Sequence, residues 1–273
     1  MSFLKTIWFA IALALTLIFT TVFVGASLFG CMIIWKLTGV KGANLRRCYT
    51  RFIFRWSKRI LAVFCELMCI TTVFRFHRGL SFSPAIIIAN HQSLVDILVL
   101  NAFLPAMGCT DARWVMKDSL GMAPLVGRAC RGQGSAFISR GDRAGSERII
   151  REKATLARNE SASMVIFPEG TRFVAPAEGP APDGGPAYQR LLPPRPSGFM
   201  TLKRAMPTHD LLIVTIDYGG RIAAKSIFQL GNLFGRTIFV SSERDYAPRA
   251  DSAWLNSRWR EMDKRLVRRT QED

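Results

Sequence analysis

The sequence predicts an α/β fold, with a mixed or largely parallel sheet flanked by helices and N-terminal membrane-associated helices ahead of it. Two observations carry this reading. After Phe74, short apolar runs alternate with polar helical stretches, the pattern of strands covered on both faces by crossover helices. Before it, the chain runs from Ile7 to Trp35 without a charged side chain, and about 20 apolar residues suffice to cross a bilayer as a helix.

The Ile7–Trp35 stretch is expected as one long helix, with two shorter arms broken near Gly25 and Gly30 as the alternative. Val24-Gly25-Ala26 resembles a signal-peptidase site, but the apolar run continues past it to Ile33-Ile34-Trp35, which argues for an anchor. The cations Lys36, Lys41, Arg46, Arg47, Arg51, Arg55, Lys58 and Arg59 follow. By the positive-inside rule they place this flank, and the domain after it, on the cytoplasmic side. Leu45–Phe74 mixes these cations with aromatic and aliphatic residues. It is expected as a helix lying on the membrane, with a packed core helix as the alternative.

Ala85–Ala89, Arg113–Met116, Ala136–Ser139, Ser163–Phe167 and Leu211–Tyr218 are expected strands; Val95–Phe103 and Arg143–Asn159 are expected helices. The proline- and glycine-rich stretch Val174–Pro196 is expected as an exposed loop, placed by its position to rim a site. From Asp251 to Arg269, Trp254, Leu255, Trp259, Met262 and Leu266 recur at helical spacing among arginines. That stripe suits either a membrane surface or docking on the domain. Three units result: an anchor and interfacial helix (1–74), a catalytic domain (75–250) and a basic amphipathic C-terminal helix (251–273).

The chain has 273 residues, 49% of them hydrophobic, and a formal net charge of +17. Basic charge combined with so much apolar sequence favours an anionic membrane as partner. No nucleic-acid module is recognisable. Six cysteines and three histidines show no metal-ligand spacing, so neither a metal nor a cofactor is expected, and the cysteines are read as reduced thiols.

Two motifs carry chemistry. Asn90-His91-Gln92-Ser93-Leu94-Val95-Asp96 follows a strand and opens a helix. On one continuous helix, residues five apart point about 140° away from each other. His91 and Asp96 therefore meet only if His91 lies in the turn and Asp96 in the first helical turn, with Ser93 available as N-cap. By itself this pattern also fits a capped helix start. Phe167-Pro168-Glu169-Gly170-Thr171-Arg172 likewise follows a strand. Gly170 allows close backbone approach, and Arg172 suits bidentate phosphate binding. Between them lie Lys117-x-x-Leu120-x-x-x-Pro124-x-x-Gly127 and a strand ending at Arg140.

In this order the motifs resemble the glycerolipid acyltransferase family, which includes the 1-acylglycerol-3-phosphate acyltransferases. The resemblance covers about Ala85 to Tyr218. It implies catalytic roles for His91, as general base, and Asp96, as its orienting partner. It implies substrate-binding roles for Arg140, Glu169, Gly170, Thr171 and Arg172 toward a glycerol phosphate. Acyl-CoA or acyl-carrier protein would be the co-substrate and a lysophospholipid the acceptor, at a bacterial inner membrane. No Gly-x-Ser-x-Gly nucleophile is present, which favours direct transfer. Leu211–Tyr218 lacks the proline common in the family, and with Leu191–Phe199 it looks closer to the lysocardiolipin and lysophospholipid branch. Alternatives are another lysolipid acceptor, a lipid A precursor, or a membrane-binding protein without catalysis.

Overall fold

Among the described residues, seven strands form one sheet in the order β1-β7-β6-β2-β5-β3-β4. They are β1 (Thr71–Arg75), β2 (Ala85–Ala89), β3 (Ala112–Lys117), β4 (Ala136–Ile138), β5 (Ser163–Ile166), β6 (Asp210–Asp217) and β7 (Thr237–Asp245). All neighbouring pairs are parallel except β6–β7. The structure, a computed structural model, describes the chain except residues 1–7, 9–10, 13–14, 17, 77–81, 140, 174, 177–180, 182–183, 221–226, 247–249 and 273; at 20, 21, 227, 228 and 270–272 it describes the backbone alone.

The apolar runs become strands for the expected reason. Successive strand side chains point to opposite faces, so a run apolar throughout needs cover on both. In β2, Ala85, Ile87 and Ala89 enter one core with Val165, Leu212, Val214 and Ile216. Ile86 and Ile88 enter the other with Met164, Leu211 and Ile213. The first core is closed by α2 (Gly42–Leu67) and α3 (Asp96–Ala106), through Phe54, Leu61, Phe64, Val99, Leu100 and Phe103. The second is closed by α5 (Arg143–Asn159), α6 (Pro196–Ala205) and α7 (Ser252–Glu272). The mixed, mostly parallel sheet flanked by helices is thus the predicted one.

In the N-terminal region every described residue from Trp8 to Leu37 is helical, with a π-helical turn at Thr20–Val24 that runs on into α1 (Gly25–Leu37). Among the described residues no helix is long and apolar enough to cross a membrane. The segment folds back along α2. Trp8 donates its indole N–H to the Leu67 carbonyl (2.9 Å), Phe19 meets Trp56 (ring centroids 5.9 Å), and Trp35 meets Tyr49 edge-on at 4.7 Å. One side of the segment is thereby spent on protein contacts. The other leaves Ile11, Leu15, Ile18, Val22, Phe29, Ile33 and Leu37 exposed.

The helix expected over Leu45–Phe74 ends at Leu67, and its last residues turn into β1, which pairs with β7. A boundary at residue 74 therefore cuts a strand of the central sheet. The C-terminal stripe docks on the domain: Leu255, Trp259, Met262 and Leu266 are buried in the second core. The stretch Val174–Pro196 is not exposed throughout either, since Tyr188, Arg190 and Leu191 are buried.

A buried charge network ties α2 to the sheet. The Arg113 guanidinium, fully buried on β3, pairs with Asp111 (3.3 Å) and with Glu160. Glu160 also receives Arg46 of α2, whose Nε donates at 2.7 Å, and Thr50 donates to Asp111 at 2.9 Å. Among the cysteines, burial pushes the Cys109 and Cys130 thiols up to about 12 and Cys65 up to about 11. All six are free thiols.

Candidate active site

β2 and β5 are adjacent and parallel, with Ile88 level with Ile166. Both motifs consequently leave the sheet at the same carboxyl edge, where α/β folds collect their ligands. Asn90 anchors the first. Its amide donates to the Ile216 carbonyl (2.8 Å) and accepts from the Ile216 N–H (2.7 Å), extending the β2–β6 pairing beyond the strand.

The chain then turns and α3 begins at Asp96. Val95, not Ser93, occupies the cap position. Ser93 instead accepts the Val95 N–H on its hydroxyl at 3.2 Å. Asp96 supplies the missing acceptor: its Oδ2 takes the Gln92 N–H (2.7 Å) and the Ser93 N–H (2.8 Å). The same oxygen lies 2.8 Å from His91 Nδ1. The geometry required by the five-residue spacing is thus met, with His91 in the turn and Asp96 in the first helical turn.

An acceptor-only carboxylate at Nδ1 fixes the proton on that nitrogen and leaves Nε2, across the ring, with its lone pair. The ring also stacks on Phe167 (centroids 4.1 Å apart, planes within 10°). Phe167 in turn packs against Trp114 of β3. The imidazole is held by its plane and by one nitrogen. Its side chain remains 16% exposed, whereas Asp96 is fully buried.

Tyr218, one residue beyond β6, donates its hydroxyl to Asp96 Oδ1. Burial, then the Asp96 charge, hold the Tyr218 phenol well above its ordinary range, so it stays a donor. No sequence motif marks this tyrosine. The available signal was its place at the carboxyl end of the strand next to β2.

The second motif braces the first. Glu169 Oε1 accepts the His91 N–H at 2.8 Å, Oε2 accepts the Leu192 N–H at 2.9 Å, and the Phe173 N–H donates to the His91 carbonyl at 2.7 Å. His91 is held at both backbone groups by the Phe167–Phe173 segment. Glu169 is itself buried. Burial pushes its carboxyl well above the usual range, opposed by those two N–H donors and reinforced by Asp96 and Asp263. Each Glu169 oxygen thus accepts one backbone N–H, and the one on His91 helps to hold the turn that carries the imidazole. Gly170 sits at φ +68°, a conformation that costs a side chain energy. There its backbone is exposed beside the half-buried Thr171 and Arg172. Arg140 lies outside the described residues.

The burial of residues 188–192 has its cause in α7. Asp263 accepts the N–H groups of Gln189 (3.0 Å), Arg190 (2.7 Å) and Leu191 (3.0 Å), and the Trp259 indole donates to the Leu192 carbonyl (3.1 Å). With Glu169 on the Leu192 N–H, four consecutive backbone donors find buried carboxylates. This satisfies groups that would otherwise cost about 1–3 kcal/mol each. The C-terminal helix thus reaches His91 through one loop and one glutamate.

A family model described as Acyltransferase matches residues 74–219, more than half of the chain. A 1-acyl-sn-glycerol-3-phosphate acyltransferase of Helicobacter pylori strain J99 is 40% identical over 88 residues, 32% of this chain and 35% of that protein. A lyso-ornithine lipid O-acyltransferase of Pseudomonas aeruginosa is 32% identical over 88 residues, 32% of this chain and 31% of that protein. Each match spans about a third of the curated relative. The crystal structure of the 1-acyl-sn-glycerophosphate acyltransferase PlsC from Thermotoga maritima shares the fold, with TM-score 0.62 and 19% identity over 98% of this chain and 97% of that one. The family match, laid over both motifs and the sheet that joins them, shows that the chain belongs to the glycerolipid acyltransferase family and is an acyltransferase.

Proposed function

We propose that this chain transfers a fatty acyl group from an acyl thioester, acyl-CoA or acyl-carrier protein, to the free hydroxyl of a lysophospholipid, with 1-acylglycerol-3-phosphate as the leading acceptor. The observation that supports it most is the His91 ring, held at Nδ1 by a buried carboxylate and stacked on Phe167, with Nε2 left as base. His91 takes the hydroxyl proton as the oxygen attacks the thioester carbonyl. The C–O bond forms, the C–S bond breaks, and the proton passes to the departing thiolate. Asp96 stabilises the imidazolium formed on the way. Gly170, Thr171, Arg172 and Arg140 are the proposed contacts to the acceptor phosphate.

The reaction is proposed to run at a membrane surface, on the cytoplasmic side. Support comes from the exposed apolar side of the N-terminal segment, flanked by the exposed Lys36, Lys41, Arg51, Arg55 and Lys58. A soluble monomer rarely exposes so continuous an apolar strip. Cations beside it add about 1 kcal/mol each at an anionic bilayer.

Purified protein incubated with an acyl thioester and a panel of lysolipids tests the reading. The panel holds lysophosphatidate, lysocardiolipin, lysophosphatidylinositol and the phosphate-free lyso-ornithine lipid that the Pseudomonas relative's name brings in. Lysophosphatidate is expected to be the fastest acceptor. Inactivity with every lysolipid would refute the proposal.

Tyr218→Phe gives a second check. It removes one donor from a buried carboxylate, expected to cost about 1.5–3 kcal/mol of stability by thermal unfolding. Acyl transfer is expected to fall with it, because Asp96 loses a partner that holds it against His91. An unchanged kcat/KM would separate Tyr218 from the base.

A further inference from the structure

We propose that a second apolar element, the 3₁₀ turn Asp118–Met122 with the first turn of α4 (Pro124–Gln133), inserts into an anionic bilayer as a lip beside the site. The proposal rests on the membrane-surface reading above and extends it to a part of the fold outside the N-terminal segment.

The lip exposes large apolar side chains together: Met122 is 79% exposed, Val126 50% and Leu120 37%. Leaving them in water has no benefit to a lone domain. The element is also closely packed on its inner side. Gly121 and Gly127 meet backbone to backbone, and a Cβ at Gly127 would fall 2.1 Å from the Gly121 oxygen. Arg131 donates to that same Gly121 carbonyl and lies over the Phe137 ring. The Lys117-to-Gly127 pattern in the sequence is therefore the frame of this turn.

Three features point to lipid as its occupant. First, the lip continues the apolar N-terminal surface. Leu125 packs at Gly25, where a Cβ would lie 3.3 Å from its Cδ2, and Ala129 shares a core with Val24 and Leu28. Second, the exposed Lys117 and Arg128 flank it. The acidic member, Asp118, is exposed and accepts the Ser119 N–H at 2.7 Å. Third, β3 runs parallel to β5 with Trp114 level with Val165. The turn after Lys117 thus leaves from the same carboxyl edge as His91 and Phe167. An acceptor lipid drawn from a bilayer touching both surfaces has a short path to the base.

The test is co-sedimentation of the full chain with sucrose-loaded vesicles of phosphatidylethanolamine and phosphatidylglycerol. Met122→Asp/Val126→Asp is expected to lower vesicle partitioning at least about tenfold, since burying either side chain is worth more than the 1.4 kcal/mol of a tenfold change. Met122→Trp is expected to raise partitioning, because tryptophan favours the interface. Thermal melting confirms folding of both variants, and His91→Ala binds like wild type. If wild type binds and the double variant binds equally, the lip proposal fails alone. If wild type does not bind, the membrane reading fails and takes the lip with it. Loss of turnover only with an acyl-carrier-protein donor, at unchanged vesicle binding, would make the lip a protein-docking surface and overturn the proposal. Vesicle binding is read without turnover, so a failure of the acyl-transfer reading leaves this result standing.

Discussion

His91→Ala is expected to lower acyl transfer about 10²–10⁴-fold, the usual worth of a positioned general base, while the protein stays folded. The structure explains why these effects should separate. The His91 ring contributes one stack on Phe167 and one bond to Asp96, and an aromatic pair is worth about 0.5–1.5 kcal/mol. The turn itself depends on other atoms. Asp96 Oδ2 holds the Gln92 and Ser93 N–H groups, and Glu169 and Phe173 hold the backbone of His91. None of these bonds uses the imidazole. Asp96→Ala should behave differently, losing activity and stability together, because it strands two buried N–H donors and the Tyr218 hydroxyl. Adding Asp96→Ala to His91→Ala should cost little further activity, since the two side chains act as one unit. The measurements are initial rates with lysophosphatidate and thermal unfolding of each variant. Wild-type transfer by a folded His91→Ala protein would end the general-base mechanism.

How much of this was legible in the sequence depends on how local each signal is. β2, β3, β5 and β6 were readable because strands buried on both faces are written as short branched runs. β1 and β7 were not. β1 is an edge strand with exposed Thr71, Thr72 and Arg75. The end of β7 reads Ser242-Glu243-Arg244-Asp245 and pairs with β6 alone. Neither has the apolar content that marks a strand. The His91–Asp96 contact was readable because five residues leave one geometry in which the two meet. Tyr218 and Asp263 act on a turn and a loop more than seventy residues away, so no window of sequence contains both ends. Glu169 was found by its motif, but its two backbone partners, the His91 and Leu192 N–H groups, lie far from it in sequence and were not legible there. In the N-terminal run, the uncharged length is that of a bilayer span, and the contacts it makes with Trp56, Tyr49 and Leu67 of α2 are ones that hydropathy does not encode.

Glu160→Ala is expected to destabilise the protein by about 3 kcal/mol, at the lower end for removing one partner of a buried ion pair. Arg113 is fully buried and would keep only Asp111, at 3.3 Å. Arg46 would lose its carboxylate altogether, leaving Thr50 on Asp111 as the side-chain tie from α2 in this network. The pH dependence identifies the cause. The hydrogen bond from Arg46, then Arg113, opposed by burial, holds the Glu160 carboxyl at about 2, below its ordinary 4.5. A depressed folded pKa means the unfolded chain binds the proton first as pH falls. This stabilisation is therefore complete above about pH 4.5 and disappears as pH drops toward 2. Glu160→Gln, close in shape but without the charge, should be less stable than wild type at pH 7. The difference should shrink through that window, as followed by urea unfolding at a series of pH values. A constant difference from pH 7 to pH 2 would show that Glu160 acts by packing alone. Because the network lies away from His91 and Asp96, the fraction of Glu160→Gln that remains folded should transfer acyl groups at the wild-type rate. That outcome would separate the charges that hold α2 on the sheet from those that hold the base.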